Sequence, residues 1–258
     1  MRVFAISDLH VDYEDNLKWI YNISLCDFTG DILVVAGDIS DSLSLLERAL
    51  TSFVRRFKVV LFVPGNHELW ISRDKGIKTS LDKYTHIRSV VEASGAQQSA
   101  FRADGLCILP LLSWYDYSFG QPTQRLLDVW MDFRTCQWPT GFQMDDVATH
   151  FEQWNYFPEL GDEEFVITFS HFLPRIDVLP KFIPDALKVL NPILGATRIE
   201  RQIRKLNSKI HIYGHSHVNQ HTHIEGITYV NNALGYPHET RITSKRLRCV
   251  YTVGDENC

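Results

Sequence analysis

Val59-Val60-Leu61-Phe62-Val63-Pro64-Gly65-Asn66-His67-Glu68 opens as an apolar, β-branched run and stops in Pro-Gly, a pair that breaks regular structure. An amide, an imidazole and a carboxylate follow at once, so a buried strand delivers three polar groups to its own carboxyl end. In an open α/β sheet that end is where ligands sit. The stretch therefore asks whether other strands bring matching groups to the same place.

Four do. Arg2–Ser7 reads as a short apolar strand leading into Asp8-Leu9-His10, and Asp31–Ala36 as a second that ends in Gly37-Asp38. Phe165–Phe169 leads to Ser170-His171, and Lys209–Tyr213 to Gly214-His215-Ser216-His217. Residues two apart on extended backbone point the same way, so Asp8 and His10 can share a ligand, as can His215 and His217.

The collected groups are carboxylates, imidazoles and one amide oxygen, with no thiolate. Such donors suit manganese, iron or zinc rather than a cysteine-rich structural zinc. They are too many for one tetrahedral ion and right in number for two divalent metal ions that share a carboxylate and leave room for water. Two ions about 4 Å apart clamp an in-line displacement at phosphorus.

Between the strands the periodicity predicts helices over Asp15–Ser24, with Asp15 as its cap, and over Ser42–Phe57. Ile71–Ser94 also reads as helical, with Ile77, Leu81, Tyr84 and Ile87 as apolar marks. Gly105–Ser113 is a strand whose internal Pro110 implies an edge position or a bend. Residues 114–157 form an aromatic-rich segment with helices near Thr123–Met131 and Asp145–Tyr156. Thr197–Leu206 is a basic helix, read as a solvated face because Glu200 and the overall acidity offset its charge. His221–Ile224 and Ile227–Val230 flank Glu225-Gly226 as a hairpin, and Arg246–Val253 is a last strand. Strand-helix alternation is the βαβ pattern of a mostly parallel sheet. With no repeat and no Ser/Gly-rich linker, the expectation is one domain over residues 1–258.

Composition narrows the function. A chain of 258 residues, 45% hydrophobic and 22% charged, with a formal net charge of -5, has no overall attraction for nucleic acid or an anionic membrane. No apolar run approaches the roughly 20 residues of a bilayer span. Met1–Ile6 runs directly into Ser7-Asp8, too short for a signal peptide. The five cysteines (Cys26, Cys107, Cys136, Cys249, Cys258) are odd in number and never spaced CxxC, which implies free thiols and a cytoplasmic protein.

The five blocks, in this order, resemble the calcineurin-like metallophosphoesterases, whose pattern is Asp-x-His, Gly-Asp, Gly-Asn-His-(Glu/Asp), His and Gly-His-x-His. The resemblance implies an α/β fold of two mixed β-sheets packed face to face with helices outside, a four-layer sandwich. It implies that Asp8, His10 and His217 bind one ion, that Asn66, His171 and His215 bind the other, and that Asp38 bridges them. His67 resembles the family's general acid. The implied activity is hydrolysis of a phosphate monoester or diester of a small phosphorylated substrate by metal-activated water. A nuclease or cyclic-nucleotide phosphodiesterase of the same superfamily, and a binding scaffold that has lost catalysis, are the alternatives.

Some roles stay open at this stage. Asp41, three residues after Asp38, is either the partner that orients His67 or a helix cap. In the protein-phosphatase branch the block continues Asp-Arg-Gly; here Asp41 is followed by Ser42-Leu43, so a phosphate anchor must come from elsewhere. Arg175, one short loop beyond His171, is the first candidate and Arg134 the second. The aromatic segment is either core or a lid for an organic leaving group, with Tyr115 placed to reach the metal face.

Overall fold

The protein is described from a computed structural model, which covers residues 1–161 and 163–254. Its elements run β1 (Arg2–Ile6), α1 (Glu14–Tyr21), β2 (Ile32–Ala36), α2 (Leu43–Val54), β3 (Val59–Val63), α3 (Ser80–Ser94), β4 (Phe101–Ala103) and β5 (Leu106–Pro110). They continue with α4 (Gln124–Val129), α5 (Asp132–Thr135), α6 (Met144–Glu152), β6 (Phe165–Phe169), α7 (Asn191–Leu194) and α8 (Thr197–Lys205). Four strands close the series: β7 (Ile210–Tyr213), β8 (Gln220–Ile224), β9 (Ile227–Asn231) and β10 (Arg248–Thr252).

Among the described residues these strands form a four-stranded sheet, ordered β10-β1-β2-β3, and a six-stranded sheet, ordered β4-β5-β6-β7-β9-β8. Both are mixed. β1, β2 and β3 run parallel with β10 antiparallel, while β5, β6, β7 and β9 run parallel between antiparallel β4 and β8. The strands read as near-continuous apolar runs because both faces of each sheet are covered. Val3, Ala5, Ile32, Val34, Leu61 and Val63 share one apolar cluster with Leu106, Ile108, Ile167, Phe169, Ile212 and Val230 of the other sheet, which is the layer between the sheets. The alternate residues, Phe4, Ile6, Leu33, Val35, Val60 and Phe62, cluster with Ile20, Leu46, Leu50 and Phe53 of α1 and α2 instead. This is the α/β/β/α sandwich.

Several element bounds differ from expectation for physical reasons. Asp15 does not cap α1: the cap position is Tyr13, and Asp15 lies in the first turn, where its charge suits the helix dipole. α3 starts at Ser80 and not near Ile71, because Thr79 and Asp82 close a capping box there and Gly76 turns the chain at φ +92. Pro110 is neither at an edge nor at a bend within a strand. It is the last residue of β5, an interior strand, and the unforeseen β4 takes the edge. The hairpin holds as read, with Glu225 and Gly226 both at positive φ, as a two-residue turn requires.

The aromatic segment is chiefly core. Trp114 and Tyr115 are buried, with Trp114 against Trp138, Phe151 and Phe172. Cys26, Cys107, Cys136 and Cys249 are free thiols, and Cys258 lies outside the described residues. No helix among the described residues is long and apolar enough to cross a membrane. On the basic helix α8, Arg198 pairs with Asp116, Asp145 and Glu152, and Arg204 with Glu200 and Glu225.

Candidate active site

The carboxyl ends of β1, β2 and β3 meet those of β6 and β7 at one edge of the sandwich. Backbone bonds lace the loops there: Asp8 N–H donates to Gly37 O and His10 N–H to Asp38 O, each at 3.0 Å, while Gly214 N–H donates to His171 O at 2.9 Å. The loops are so close that the glycines opening the blocks have no room for a side chain. A Cβ on Gly65 would lie 2.1 Å from Asp38 Oδ1, and one on Gly37 would lie 2.5 Å from His171 Nδ1. The backbone is strained at the same places, since Asp8, His10, Asp38, His215 and His217 all sit at positive φ. Such strain persists only where its surroundings enforce it, and it collects at functional sites.

Two groups of side chains result. Asp8, His10, Asp38 and His217 form one set able to hold a metal ion, and Asp38, His171 and His215 form another, with Asp38 common to both. Asn66 joins the second, its Oδ1 3.1 Å from His171 Nε2.

The hydrogen bonds around the rings show what the cluster is built to hold. His171 Nδ1–H donates to Ala36 O at 2.9 Å, and His215 Nε2–H to Ile193 O at 3.1 Å. The nitrogens left over, His171 Nε2 and His215 Nδ1, then face each other with lone pairs at 3.1 Å. His217 Nδ1–H donates to Glu239 Oε2 at 2.7 Å, which turns its Nε2 lone pair toward His10 Nε2 at 3.0 Å and Asp8 Oδ1 at 3.4 Å. Converging lone pairs repel unless a cation lies among them, and backbone or carboxylate partners on the outer nitrogen are how metal-ligating histidines are oriented. The residues present fit bound metal.

The charges agree. Burial alone would raise the Asp38 carboxyl, yet His171, His67 and His10 hold it well below the ordinary carboxylate range. Burial would lower His171, but the Asp38 carboxylate outweighs it and raises the imidazole to about 9, so a proton on Nε2 answers the same field that a metal cation would. The centre is a field that favours positive charge.

His67 lies beside this centre on the 3-10 turn His67–Leu69. Its backbone N–H donates to Asp38 Oδ1 at 3.0 Å, and its Nε2 is 3.8 Å from Asp38 Oδ2. The ring stacks on Trp70 at 3.7 Å and meets His10 edge-on at 4.6 Å. Glu68, next in the chain, turns its carboxylate to the loop backbone. Its buried carboxylate accepts backbone N–H groups from Asp38 (2.9 Å), Ile39 (2.6 Å), Ser40 (3.0 Å) and Gly65 (2.7 Å), so it secures two ligand loops together. Burial and the nearby Asp38 charge push it up to about 7.

The other residues foreseen for the site are placed differently. Among the described residues Asp41 makes no hydrogen bond to His67 and does not cap α2, whose cap is Ser42. Its carboxylate takes Arg73 at 2.5 Å, and its carbonyl takes the buried Lys83. Arg175 is not at the cluster. Its guanidinium is held by Asp177 in its own loop, by Glu200 on α8 and by Glu225 in the turn between β8 and β9. Arg134 is exposed on α5 and donates to Asp128 O. Tyr115 is a core residue, its buried hydroxyl without a hydrogen-bond partner among the described residues.

Residues that local pattern did not single out complete the wall. Tyr236 packs its ring 4.5 Å from His10 and 4.9 Å from His217, and its N–H donates to the same Glu239 oxygen that holds His217. Asp132, at the start of α5, is buried and accepts from Asn66. The need of each histidine for an outer partner was the available signal, but it does not say which carboxylate answers.

Fold and site together define a metal-dependent phosphoric ester hydrolase. The chain belongs to the calcineurin-like phosphoesterase family, which it matches over residues 1–219. It is 25% identical over 261 residues to the acyl-carrier-protein phosphodiesterase PptH of Mycobacterium tuberculosis, an alignment covering 93% of this chain and 79% of that protein. The crystal structure of phosphopantetheinyl hydrolase (PptH) from the same organism has the same fold, with a TM-score of 0.78 and 24% identity over 99% of this chain and 96% of that one. Glu239 and Tyr236 lie beyond the family match and within the length shared with that structure.

Proposed function

We propose that this protein is a two-metal phosphodiesterase that cleaves the bond between an acyl carrier protein and its phosphopantetheinyl group. The observation that carries the metal chemistry is the convergence of inward-turned lone pairs on both sides of Asp38. In this reading Asp8, His10, Asp38 and His217 hold one divalent ion, and Asp38, Asn66, His171 and His215 the other. When bound, the ions lower the pKa of water to near neutral and offset charge on the phosphoryl oxygens. The likeness to PptH along nearly the whole chain supports the carrier-linked diester.

The residues divide the work. Water forms a new P–O bond, the P–O bond to the carrier breaks, and His67 supplies a proton to the departing oxygen. Trp70 on its face and His10 at its edge hold the His67 ring toward Asp38. A diester also accounts for the arginines. It carries one negative charge, fewer than a monoester dianion, and neither arginine foreseen as an anchor turns to the cluster. The whole chain is read as one domain with residues 114–157 as an insert, and the free thiols support a cytoplasmic setting.

The test is to incubate metal-stripped protein, with and without manganese, with a phosphopantetheinylated carrier protein and to follow the intact carrier mass. The expected result is loss of one phosphopantetheinyl group in manganese and none in chelator. An unchanged carrier, with bis(p-nitrophenyl) phosphate still turned over, would overturn the substrate. No turnover of either would overturn the function.

A further inference from the structure

We propose that Asp132 is a positioning residue that sets both the ligand Asn66 and the proton donor His67 from one buried carboxylate. The inference rests on the two-metal reading above and adds a residue from outside the family's five sequence blocks. Asp132 opens α5 in the aromatic insert and is 2% exposed. Three N–H donors fill it, two from the loop Asn66–Trp70 and one from Trp130 just ahead of Asp132 in the chain. Oδ1 accepts Asn66 Nδ2 at 2.9 Å and Trp70 Nε1 at 2.8 Å, and Oδ2 accepts Trp130 Nε1 at 2.8 Å.

The bond to Asn66 chooses between two orientations. The two ends of a carboxamide are alike in shape and opposite in charge, and only the oxygen serves a cation. An ionised carboxylate can only accept, so it selects the Nδ2 end and leaves Oδ1 facing His171 Nε2 at 3.1 Å. A flipped amide would aim two N–H bonds at the metal position.

The bond to Trp70 acts on His67. The Trp70 indole stacks under the His67 ring at 3.7 Å with an interplanar angle of 29°. Trp70 N–H also donates to His67 O at 3.1 Å, so both ends of Trp70 are fixed relative to the proton donor. Trp130, on the other oxygen, keeps the carboxylate from rotating. Its ring lies 6.2 Å from His215, which brings the insert against the second metal group. A buried carboxylate is costly to keep unless such donors surround it. Here two of its three donors lead directly to reacting or ligating groups.

Three variants separate positioning from mere support. In Asp132→Asn the amide keeps the shape but opposes one donor with another. Manganese titrated calorimetrically into the metal-free variant is expected to bind about 10- to 100-fold more weakly at one of two sites. Arg134→Ala, exposed on the same helix and turned to Asp128 O, touches neither Asn66 nor Trp70 and is expected to bind manganese as the wild type does. Trp70→Phe keeps the Asn66 bond. It is expected to retain manganese affinity, to lose at least about tenfold in kcat on the carrier diester, and to lose less than about twofold on bis(p-nitrophenyl) phosphate, whose leaving group needs little protonation. Wild-type manganese affinity in a cooperatively melting Asp132→Asn variant would overturn the assignment to Asn66. Equal losses on both substrates in Trp70→Phe would overturn the assignment to His67, and this arm stands even if Asp132→Asn does not fold. A wild-type protein that takes up no manganese would overturn both the metal reading and the inference.

Discussion

Glu68 Oε2 accepts the backbone N–H of Asp38 at 2.9 Å, so the residue after His67 holds the loop that carries the carboxylate common to both candidate metal groups. The same carboxylate takes Ile39, Ser40 and Gly65. Glu68→Gln replaces one acceptor oxygen with an NH2 group that faces two N–H donors. With each of the two buried donors left unpaired costing about 1–3 kcal/mol, the variant should lose about 2–6 kcal/mol of stability, read from urea unfolding of the metal-free protein. A change below about 0.5 kcal/mol would show that the four bonds do not hold the loops.

Glu239 does for His217 what a backbone carbonyl does for His171 and His215. Its bond to Nδ1 fixes which nitrogen faces the centre. Glu239→Ala should therefore weaken manganese binding by about 10- to 100-fold at one site while leaving the other site near its wild-type affinity. Equal weakening at both sites in a titration would mean that Glu239 acts on the whole loop and not on His217.

The glycines of the blocks leave room for Asp38 and His171. Gly65→Ala would drive a methyl group to 2.1 Å from Asp38 Oδ1 and 2.7 Å from His171 Cε1. Overpacking of that kind costs about 1–3 kcal/mol, and here it falls on two candidate metal ligands. The expected outcome is loss of both metal uptake and turnover, with Gly30→Ala, which meets nothing within 4 Å, unchanged in both assays.

Acid stability should report on a histidine outside the metal centre. His211 on β7 is buried between Thr168 Oγ1 at 2.9 Å and Ser170 Oγ at 3.1 Å, and burial pushes it down to about 3 from 6.5. Ser170 Oγ–H donates to Phe172 O, so the neutral ring gives its Nε2–H to Ser170 and accepts from Thr168 at Nδ1. Between pH 6.5 and 3 the unfolded chain binds this proton and the folded chain does not. The contribution is thus fully present above pH 6.5 and is lost as pH falls through that window, at roughly 1.4 kcal/mol per pH unit. Urea midpoints of wild type and His211→Gln between pH 7.5 and 4.5 check it. Parallel pH dependence in the two proteins would contradict the assignment.

What the chain discloses locally and what it does not follow from where the partners lie. Asp8, His10, Asp38, Asn66, His67, His171, His215 and His217 could be found because each ends an apolar strand, and parallel strands must bring such ends to one edge. Helix bounds were less legible. Ile71–Lys78 keeps helical apolar marks, but the Thr79–Asp82 box and Gly76 override them. Asp41 and Arg175 are engaged elsewhere, because spacing from a candidate ligand says nothing of distant competitors, and Arg73 in one case and Glu200 and Glu225 in the other take the side chains. Asp132 and Glu239 left no local trace. Each bonds a candidate ligand on another segment, Asn66 and His217, that sequence separation hides.

The central claim is that Asp38 joins two metal groups into one catalytic site. The most direct test is manganese-stimulated hydrolysis of bis(p-nitrophenyl) phosphate by wild type and Asp38→Asn, with bound metal counted in the same samples. The account predicts two ions per wild-type chain, fewer in the variant, and a rate lower by about a thousandfold, equivalent to about 4 kcal/mol of transition-state stabilisation. An Asp38→Asn protein that keeps both its metal and its rate would contradict it.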